Sequence, residues 1–426
     1  MSDATERVSI AIVGAGAAGL MAAIHAARTD PQAQVVLLDG ARRVGAKILV
    51  AGGGRCNVTH WRVRPEDYAG STRPAIRKVL GRYPVEAVAG FFEELGVQLK
   101  REETGKLFPV SDRAQSVLQA LLDAGRDAGV DLRFPRRVHR IDHTPDGRFR
   151  IAGDRVALLA DRVILSTGGK ALPKTGSDGG GYQLARHLGH TITDQVHPAL
   201  VPLRLREGDP LCAIKGIATP ARLRVTNERG RTVAEYTAPL LCTHFGVSGP
   251  VVLDASRHLL ALEEAGHPGM AWVNWLPEVD RSSFESDMLG AAGDATIGST
   301  LRGLLPERLV GTLSRLAGLE PSDHVRSLRK DARRRLLESI FAHPLEVVGD
   351  RGYTFAEATA GGVPLSEVKL DSMESRRVPG LHLAGEILDV DGRVGGFNFQ
   401  WAWASGYVAG TAAATLGYDG VAVAGR

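Results

Sequence analysis

The hydrophobic pattern at the start of the chain predicts a strand, a turn, a helix and a second strand. An apolar run from Val8 to Val13 has the length of a buried parallel strand and is too short to cross a membrane. The alanine-rich sequence that follows predicts a helix, and the run QVVLLD predicts another strand that ends at Asp39. The uncharged stretch from Ile10 to Ala27 is therefore interpreted as strand and helix. Neither a signal peptide nor a transmembrane segment is expected.

Three glycines join the first strand to the helix in the spacing GxGxxG. Gly14 permits a tight turn, Gly16 lets the backbone approach a pyrophosphate, and Gly19 lets helix and strand pack closely. The helix N-terminus adds unpaired N–H groups and a positive dipole end, which favour phosphate charges. Asp39 follows Gly19 by 20 residues, where a carboxylate binds ribose hydroxyls. The pattern predicts a bound dinucleotide at Gly14, Gly16, Ala17, Ala18, Gly19, Asp39 and Gly40.

Asp39 also restricts which dinucleotide binds. Its carboxylate repels a 2′-phosphate, so NADP is disfavoured at this site, whereas FAD and NAD both carry an unphosphorylated adenosine ribose. An NAD dehydrogenase keeps its cofactor domain in one continuous piece. This chain instead carries further glycine-marked segments far from the first, which favours FAD.

Two distant segments carry these glycine marks. The segment in the middle of the chain predicts a strand, a turn and a helix, at Val163 to Ser166, at Thr167, Gly168 and Gly169, and from about Gly181. The segment near the C-terminus predicts a strand that ends at Gly385 and Glu386, followed by a turn at Gly395, Gly396, Phe397 and Asn398. A helix lined with small residues comes next, at Ala402, Ala404, Gly406, Ala409 and Gly410.

Together these segments resemble the FAD-binding domain of glutathione-reductase-like flavoproteins. The resemblance implies that the strand ending at Thr167 lies beside the dinucleotide and that Glu386 binds the ribityl chain, where most of the superfamily has Asp. It also implies that the last helix directs its N-terminus, at Gly396, Phe397 and Asn398, toward the pyrimidine edge of the flavin. Reduced flavin carries negative charge near N1 and O2, which a helix dipole stabilises.

The chain is also similar, block by block, to one bacterial family of NAD(P)/FAD-dependent oxidoreductases that includes aminoacetone oxidases and bile-acid reductases. The blocks extend from residue 8 to residue 412 and include GAKILVAGGGRCNVTH, LFPVSDRAQSV, STGGKALPKTGSDGGGY, THFGVSGP, ATAGGVPLSEV, SMESRRVPGLHLAGEILDVDG and GGFNFQWAWASG. The chain departs from the family at Ala51, where Ser is common, and at His60, where Asn is usual.

The run AGGGRCN presents a choice between a reactive thiol and a backbone cradle. By the resemblance, this loop lies beside the flavin, and Gly52, Gly53 and Gly54 let backbone N–H groups approach the pyrophosphate and the ring. Lys47 is expected to add a positive charge near the phosphates, and the loop continues through Arg55, Cys56 and Asn57. No second cysteine is near, so Cys56 is interpreted as a packed thiol in a site that binds FAD non-covalently. A redox-active or flavin-linked thiol is the alternative.

The middle of the chain predicts helices, a β-meander and an inserted domain. Residues 70–135 have helical periodicity, with Asp112 and Gln115 as a capping box. Residues 136–165 alternate and turn at PDG, and the resemblance implies that a strand around Val138 contacts adenine through its backbone. We expect an α/β fold with a glutathione-reductase-like Rossmann FAD domain in two parts, 1–195 and 346–426. The insert is expected to hold a β-rich substrate domain over 196–298 and a helical part over 299–345, and the C-terminal strand is expected beside the N-terminal one.

The inserted sequence CTHFGVSGP offers His244 and Ser248 as polar side chains that face a substrate. The alternative for His244 is a structural role, in which it caps a turn and pairs with backbone. A Ser/His/Asp hydrolase is disfavoured because the chain has no GxSxG turn. Asp389 and Asp391 are candidates for orienting the flavin ring or a substrate amine.

Composition excludes several classes of partner. The chain has 426 residues, a net charge of +4 and 5% aromatic residues, which does not favour a nucleic-acid surface. The basic run from Arg326 to Ser339 is interpreted as the solvated face of a helix. Three separated cysteines indicate a reducing, cytoplasmic compartment and argue against zinc. No metal, membrane or nucleic-acid partner is expected.

The sequence therefore predicts an FAD-dependent oxidoreductase that transfers hydride between the flavin and a small-molecule substrate. NAD(P)H or O₂ is the redox partner, as in a reductase or an amine oxidase, and the sequence does not choose between them. A second GxGxxG is absent, which weakens the NAD(P)H interpretation. The alternative is a flavin-containing RNA-modifying or regulatory protein.

Overall fold

The computed structural model describes residues 5–291 and 293–415, and the chain divides into two compact units. The first unit combines the residues up to Val196 with those from Ala358 onwards, and the second unit is His197–Glu357. Each unit has a buried apolar core of its own. The chain therefore leaves the first unit and later returns to complete it.

A mixed sheet with a parallel centre organises the first unit. Its parallel strands follow the spatial order Leu381–Leu383, Val156–Leu165, Glu6–Val13, Val35–Leu38 and Asp131–Arg133. Antiparallel strands extend it at Val138–His143, Phe149–Gly153, Glu374–Ser375 and Val368–Lys369. Smaller strands lie at Thr59–His60, Tyr68–Gly70, Leu99–Arg101, Lys106–Pro109, Ala358–Ala360 and Val390–Gly392. The predicted α/β class and the predicted meander are confirmed.

The predicted position of the C-terminal strand was wrong. Leu381–Leu383 pairs with Val156–Leu165 and is separated by that strand from the N-terminal strand Glu6–Val13. The reason is length, because Val156–Leu165 pairs along the whole N-terminal strand from Glu6 to Val13 and occupies its edge. The C-terminal segment reaches the N-terminal one through its last helix instead.

Helices surround this sheet in the order of the chain. In the first unit they are Ala17–Thr29, Ala46–Gly54, Arg73–Leu80, Val85–Glu94, Ala114–Asp127, Gly180–His187 and Phe397–Thr415. Short 3₁₀ turns lie at Pro65–Asp67, Pro173–Thr175, Leu365–Glu367 and Gly385–Ile387. Within residues 5–291 and 293–415, none of the helices combines the length and the apolar character that crossing a bilayer requires.

The predicted capping box at Asp112 was wrong. The helix begins at Ala114 with Arg113 as its N-cap, and that N-cap makes no side-chain hydrogen bond to the helix. Asp112 lies outside the helix with a φ of +51° and pairs with Lys100. The ion pair holds the carboxylate away from the helix start, so the spacing of Asp112 and Gln115 is not used for capping.

The second unit is built on an antiparallel sheet. Its strands follow the order His343–Leu345, Met270–Asn274, Ala218–Thr226, Thr232–Thr243, Gly246–Ser248, Leu203–Leu205 and Val347–Asp350, and a further short strand is His197–Ala199. Its helices are Pro210–Ala213, Pro250–Glu264, Arg281–Gly290, Ile297–Leu301, Glu307–Leu316 and Lys330–Phe341, with a 3₁₀ turn at Val325–Ser327. The helix Pro250–Glu264 lies within the range that was expected to be β-rich. Pro250, in its first turn, starts this helix directly after a strand-like run, so the helix was not recognised in the sequence.

The first and last helices of the first unit touch backbone to backbone. A Cβ added at Gly406 would lie 2.4 Å from the carbonyl oxygen of Ala18, and one at Gly410 would lie 2.2 Å from that of Ala22. Both distances are far below van der Waals contact, so only glycine permits this approach. The small residues predicted along the last helix allow it to pack directly against the first helix.

We expect Gly406→Val to lower the free energy of unfolding by about 1–3 kcal/mol, because the added side chain must push the two helices apart. The control is Gly90→Val, since nothing lies within 4 Å of a Cβ at that helical position. Denaturant unfolding followed by circular dichroism measures both variants. Equal stability of the two would contradict the close contact described for Gly406.

Candidate functional site

The glycine turn after the first strand is held by the neighbouring strand and open on one side. Gly14 has a φ of +105°, and a Cβ there would lie 2.5 Å from the carbonyl oxygen of Ser166. A Cβ at Gly19 would lie 1.8 Å from the oxygen of Gly14. Gly16, in contrast, has nothing within 4 Å of an added Cβ. Gly14 and Gly19 are therefore required by the fold. Gly16 borders the space in which a pyrophosphate is expected.

Asp39 fastens this turn through both of its carboxylate oxygens. Oδ2 accepts a hydrogen bond from the N–H of Ala15 at 2.7 Å, and Oδ1 accepts one from the N–H of Ala41 at 2.7 Å. Burial raises the pKa of Asp39, while these hydrogen bonds and the charge of Arg137 oppose the rise. Each oxygen has a further lone pair. The binding of ribose hydroxyls by Asp39 stays a prediction, and the structure adds an orienting role for the turn.

The triple-glycine loop is a left-handed stretch of backbone. The φ values of Gly52, Gly53 and Gly54 are +58°, +68° and +85°, and the helix that begins at Ala46 is broken at Ala51. A Cβ at Gly52 would lie 2.9 Å from the ring of Phe108, whereas Gly53 has nothing within 4 Å. Three successive positive φ values favour glycine at each position. The loop is therefore a run of exposed glycine backbone, and at Gly53 an added side chain would meet no protein atom within 4 Å.

Lys47 and Glu386, predicted to bind different parts of the cofactor, form an ion pair. The Nζ of Lys47 donates to Oε2 of Glu386, and Oε1 of Glu386 accepts from the N–H of Thr359 at 2.9 Å. The hydroxyl of Thr359 accepts from the N–H groups of Lys170 and Ala171 at 2.8 and 3.0 Å. Thr359 therefore connects three distant segments.

Thr359 also explains a glycine, because a Cβ at Gly169 would lie 2.5 Å from its hydroxyl oxygen. Thr359 lies in the block ATAGGVPLSEV but was not among the residues predicted for the site. A polar residue two positions before the glycine pair Gly361-Gly362, in a segment that returns to the cofactor domain, was the available signal. The turn Thr167–Gly169 and Glu386 are thus held as one structure.

The last helix begins against the strand that follows the loop. A Cβ at Gly396 would lie 2.6 Å from the carbonyl carbon of Thr59, so the helix N-terminus meets the backbone of this segment. The amide of Asn398 accepts from the N–H of Gly392 at 2.8 Å and donates to its carbonyl at 3.0 Å. The ring of Phe397 stacks on His60 at 4.9 Å. Asn398 fixes the turn that aims the helix, and its contact with a flavin stays a prediction.

Gly385 is held from the same helix. Its N–H donates to the hydroxyl of Ser405 at 2.9 Å, and its carbonyl accepts from the indole N–H of Trp401 at 3.1 Å. A Cβ at Gly385 would lie 2.8 Å from the Cβ of Ala18. Ala18, next to Ala17 in the first turn of the first helix, is thus covered by the C-terminal segment.

Buried polar atoms in these segments lack partners inside the described part of the chain. They are Oδ1 of Asn57, Oγ1 of Thr167 and Oγ of Ser177. Ser177 belongs with the others, because a Cβ at Gly168 would lie 2.6 Å from its hydroxyl oxygen. A shielded polar atom without a partner is costly, and a polar ligand relieves the cost. These atoms and the open glycines fit a cofactor with phosphate, hydroxyl and ring-amide groups such as FAD.

Comparison with known proteins places the chain in a family. Residues 8–412 match the model of the HI0933-like protein Rossmann domain. The chain belongs to this family. It is 37% identical over 408 residues to a 3-dehydro-bile acid delta(4,6)-reductase of Clostridium scindens, which covers 95% of this chain and 98% of the relative. It is 32% identical over 405 residues to a ribosomal RNA dihydrouridine synthase of Escherichia coli, with 94% and 97% covered.

The fold is also that of solved flavoenzymes. A 3-ketosteroid-delta4-(5alpha)-dehydrogenase from Rhodococcus jostii matches with a TM-score of 0.50 and 16% identity, covering 97% of this chain and 98% of that one. Such a likeness is one of fold. With the family match and the polar, glycine-lined segments of the first unit, it identifies this HI0933-like protein as an FAD-binding oxidoreductase.

Cys56 is buried, whereas Arg55 beside it is partly exposed and makes an ion pair. Cys56 is fully buried, and burial raises the pKa of its thiol to about 12. Arg55 donates to Glu102 at 2.6 Å and lies 4.0 Å above the ring of Phe108. A thiol with that pKa is not a nucleophile near neutral pH. The structure favours the packed-thiol interpretation of Cys56.

The remaining predicted residues are divided between the units. A Cβ added at Gly40 would lie 3.2 Å from the Cβ of Arg137. Val138 begins the meander strand, and its contact with adenine stays a prediction. Asp389 accepts from Ser71 at 3.4 Å, and Asp391 is buried in the ribbon that pairs Val390–Gly392 with Tyr68–Gly70. These belong to the first unit.

His244 and Ser248 lie in the second unit. His244 is an exposed residue of the turn between two strands, and its ring meets that of Phe245 edge-on at 5.1 Å. Ser248 pairs with Leu241 further along the same hairpin. The two side chains therefore stand at different levels of the hairpin. Their catalytic role stays a prediction.

We expect Gly16→Val to give a folded protein without FAD, because its side chain enters the pyrophosphate space and meets no protein atom. Absorbance of the purified protein measures bound flavin, and circular dichroism checks the fold. Gly90→Val is again the control and should retain FAD. Full flavin occupancy in Gly16→Val would contradict the placement of the phosphates.

We expect Cys56→Ser to retain FAD and its reducibility, because the buried thiol has no chemical role. Iodoacetamide at pH 8 should leave Cys56 unmodified in the native wild type and alkylate it after denaturation, as peptide mass spectrometry shows. Acid precipitation should release the flavin from wild type. Flavin that stays attached to the Cys56 peptide would refute this interpretation.

Proposed function

We propose that this protein is an FAD-dependent reductase that saturates a carbon–carbon double bond conjugated to a carbonyl group in a small molecule. The observation that carries the proposal is the whole-length similarity to the bile-acid delta(4,6)-reductase. The second relative's name supports the same chemistry, since dihydrouridine is uridine with the double bond beside its carbonyl reduced. The two names share a reaction type although their substrates differ.

The reaction needs a hydride at the β carbon and a proton at the α carbon. Bound and reduced FAD supplies the hydride. The protein's part is to hold the flavin in a fixed position through the glycine segments and to stabilise negative charge at its pyrimidine edge. The N-terminus of the helix Phe397–Thr415, aimed by Asn398, provides a positive dipole end for that purpose.

NAD(P)H is the proposed electron donor, because the names of both relatives describe reduction. The chain has one GxGxxG, which the ADP part of FAD occupies, so a nicotinamide approaches without a Rossmann site of its own. Such a donor is held by few phosphate contacts and leaves before the substrate binds. The kinetics should be ping-pong, with little discrimination between NADH and NADPH.

Reduction of uridine in ribosomal RNA is a second candidate, favoured by the 32% identity to the E. coli relative. A ribosomal RNA substrate would contradict the expectation from the sequence that no nucleic acid is bound. The small net charge of +4 and the low aromatic content of 5% support a small molecule instead.

An anaerobic stopped-flow experiment tests the proposal. NADH and NADPH should each bleach the flavin absorbance, and a 3-oxo-Δ4 bile acid should restore it while its double bond is lost, as mass spectrometry shows. Restoration by ribosomal RNA with formation of dihydrouridine would favour the second candidate. Slow bleaching by NAD(P)H, rapid bleaching by simple amines, and hydrogen peroxide in air would indicate an amine oxidase and refute the reductase.

A further inference from the structure

We infer that the side chain of Arg137, held by Asp178, covers the adenosine end of FAD and that the hydroxyl of Ser177 binds the same end of the cofactor. None of the three residues belongs to the sites predicted from the sequence. The inference concerns the first unit alone. It rests on FAD binding and does not depend on which substrate is reduced.

The end of the second strand marks the adenosine end of the site. In a dinucleotide-binding fold, the glycine turn binds the pyrophosphate, and the acid that ends the second strand binds the adenosine ribose. Asp39 is the acid in this position, its carboxylate is bonded to the glycine turn, and Gly40 follows it directly. Side chains that lie against Gly40 are therefore the ones that an adenosine meets.

The side chain of Arg137 extends from Gly40 to the start of the helix Gly180–His187. A Cβ added at Gly40 would lie 3.2 Å from the Cβ of Arg137 and 3.3 Å from its Cδ. A Cβ added at Gly180 would lie 2.6 Å from Nη2 of Arg137. Burial raises the pKa of Asp39, and the charge of Arg137 is among the influences that lower it. Arg137 thus borders the adenosine end along the whole length of its side chain.

Asp178 fixes the guanidinium of Arg137 by its edge. Nη1 of Arg137 lies 2.7 Å from Oδ2 of Asp178, and Nη2 donates to Oδ1 at 3.0 Å. Oδ1 also accepts from the N–H of Gly180 at 3.0 Å, so the carboxylate is itself anchored at the helix start. A bidentate pair holds the guanidinium in one orientation and leaves its flat faces available for stacking. The side chain of Arg137 is 40% exposed, so part of this surface is open.

An adenine ring suits a guanidinium held in this way. A planar guanidinium stacks on an aromatic face and combines cation–π attraction with close contact between two flat groups. Because Asp178 orders Arg137 before the cofactor arrives, little conformational entropy is lost when FAD binds. A lysine at this position would carry the charge but would present no flat face.

Ser177 adds a shielded hydroxyl next to this pair. It is 7% exposed, and among the described residues, 5–291 and 293–415, its Oγ has no hydrogen-bond partner. A Cβ added at Gly168 would lie 2.6 Å from that oxygen, so the hydroxyl lies beside the turn after the strand Val156–Leu165. A buried hydroxyl without a partner is costly, and the ring nitrogens and ribose hydroxyls of adenosine supply one.

The Kd of FAD, measured by flavin fluorescence as the holoenzyme is diluted, tests the inference without any substrate. Arg137→Met should raise this Kd about 5- to 30-fold, as expected for a lost cation–π contact. Arg137→Lys should raise it nearly as much, because the flat face is lost. Asp178→Asn should raise it less and should add nothing to Arg137→Met, since it acts through the arginine. Ser177→Ala should raise it about 3- to 10-fold.

Arg140→Met is the matched control, because Arg140 lies on the strand Val138–His143 and makes a comparable exposed ion pair with Asp142 at 2.8 Å. It should leave the Kd of FAD unchanged. Thermal unfolding checks the fold of each variant, and Arg137→Lys and Ser177→Ala keep the test if Arg137→Met does not fold.

The visible spectrum of flavin that stays bound distinguishes a local effect from a general one. It should be unchanged in every variant, because the adenosine end lies across the pyrophosphate from the flavin ring. A wild-type Kd in Arg137→Met or in Arg137→Lys would overturn the inference for Arg137, and a wild-type Kd in Ser177→Ala would overturn it for Ser177. An altered flavin spectrum would show that the whole site had loosened, and it too would overturn the inference.

Discussion

The cofactor unit depends on backbones that approach closer than any side chain allows. Gly14 and Gly19 let the turn, the strand before it and the neighbouring strand meet at distances where a Cβ would collide with carbonyl oxygens. Gly406 does the same between the first and last helices. Because each contact is steric, it tolerates no substitution without movement of the backbone. These contacts determine how the first strand, its glycine turn and the first and last helices lie against one another.

An ion pair and a hydrogen bond connect the segments that these close glycine contacts bring together. Glu386 is held by Lys47 from the loop and by the N–H of Thr359 from the returning chain. The side chain predicted for the phosphates and the one predicted for the ribityl chain therefore restrain one another. Neither role is lost by this, since a carboxylate and an ammonium each make several hydrogen bonds. The ion pair connects the loop to the segment around Glu386.

The sequence predicted local structure well where each residue's neighbours lie close along the chain. The glycine turn, the meander and the small residues of the last helix follow from spacing, and the structure has all of them. The capping box failed because Lys100, distant in sequence, takes the carboxylate of Asp112. The position of the C-terminal strand Leu381–Leu383 was predicted wrongly because strand order depends on which strand edges are already paired, and Val156–Leu165 already pairs with Glu6–Val13. Thr359 was not identified because its partners, Lys170, Ala171 and Glu386, come from separate segments of the chain.

The first unit is built from two separate segments of the chain, and this affects the order in which the protein folds during synthesis. During synthesis the segment up to Val196 emerges first, yet the strand Leu381–Leu383 and the helix that covers Ala18 and Ala22 follow only after the whole second unit. Contacts of such large sequence separation form slowly, because the loop they close is long. The second unit has its own core and is able to fold while the first still waits. The FAD-binding unit is therefore complete only after the chain has been translated through to its last helix.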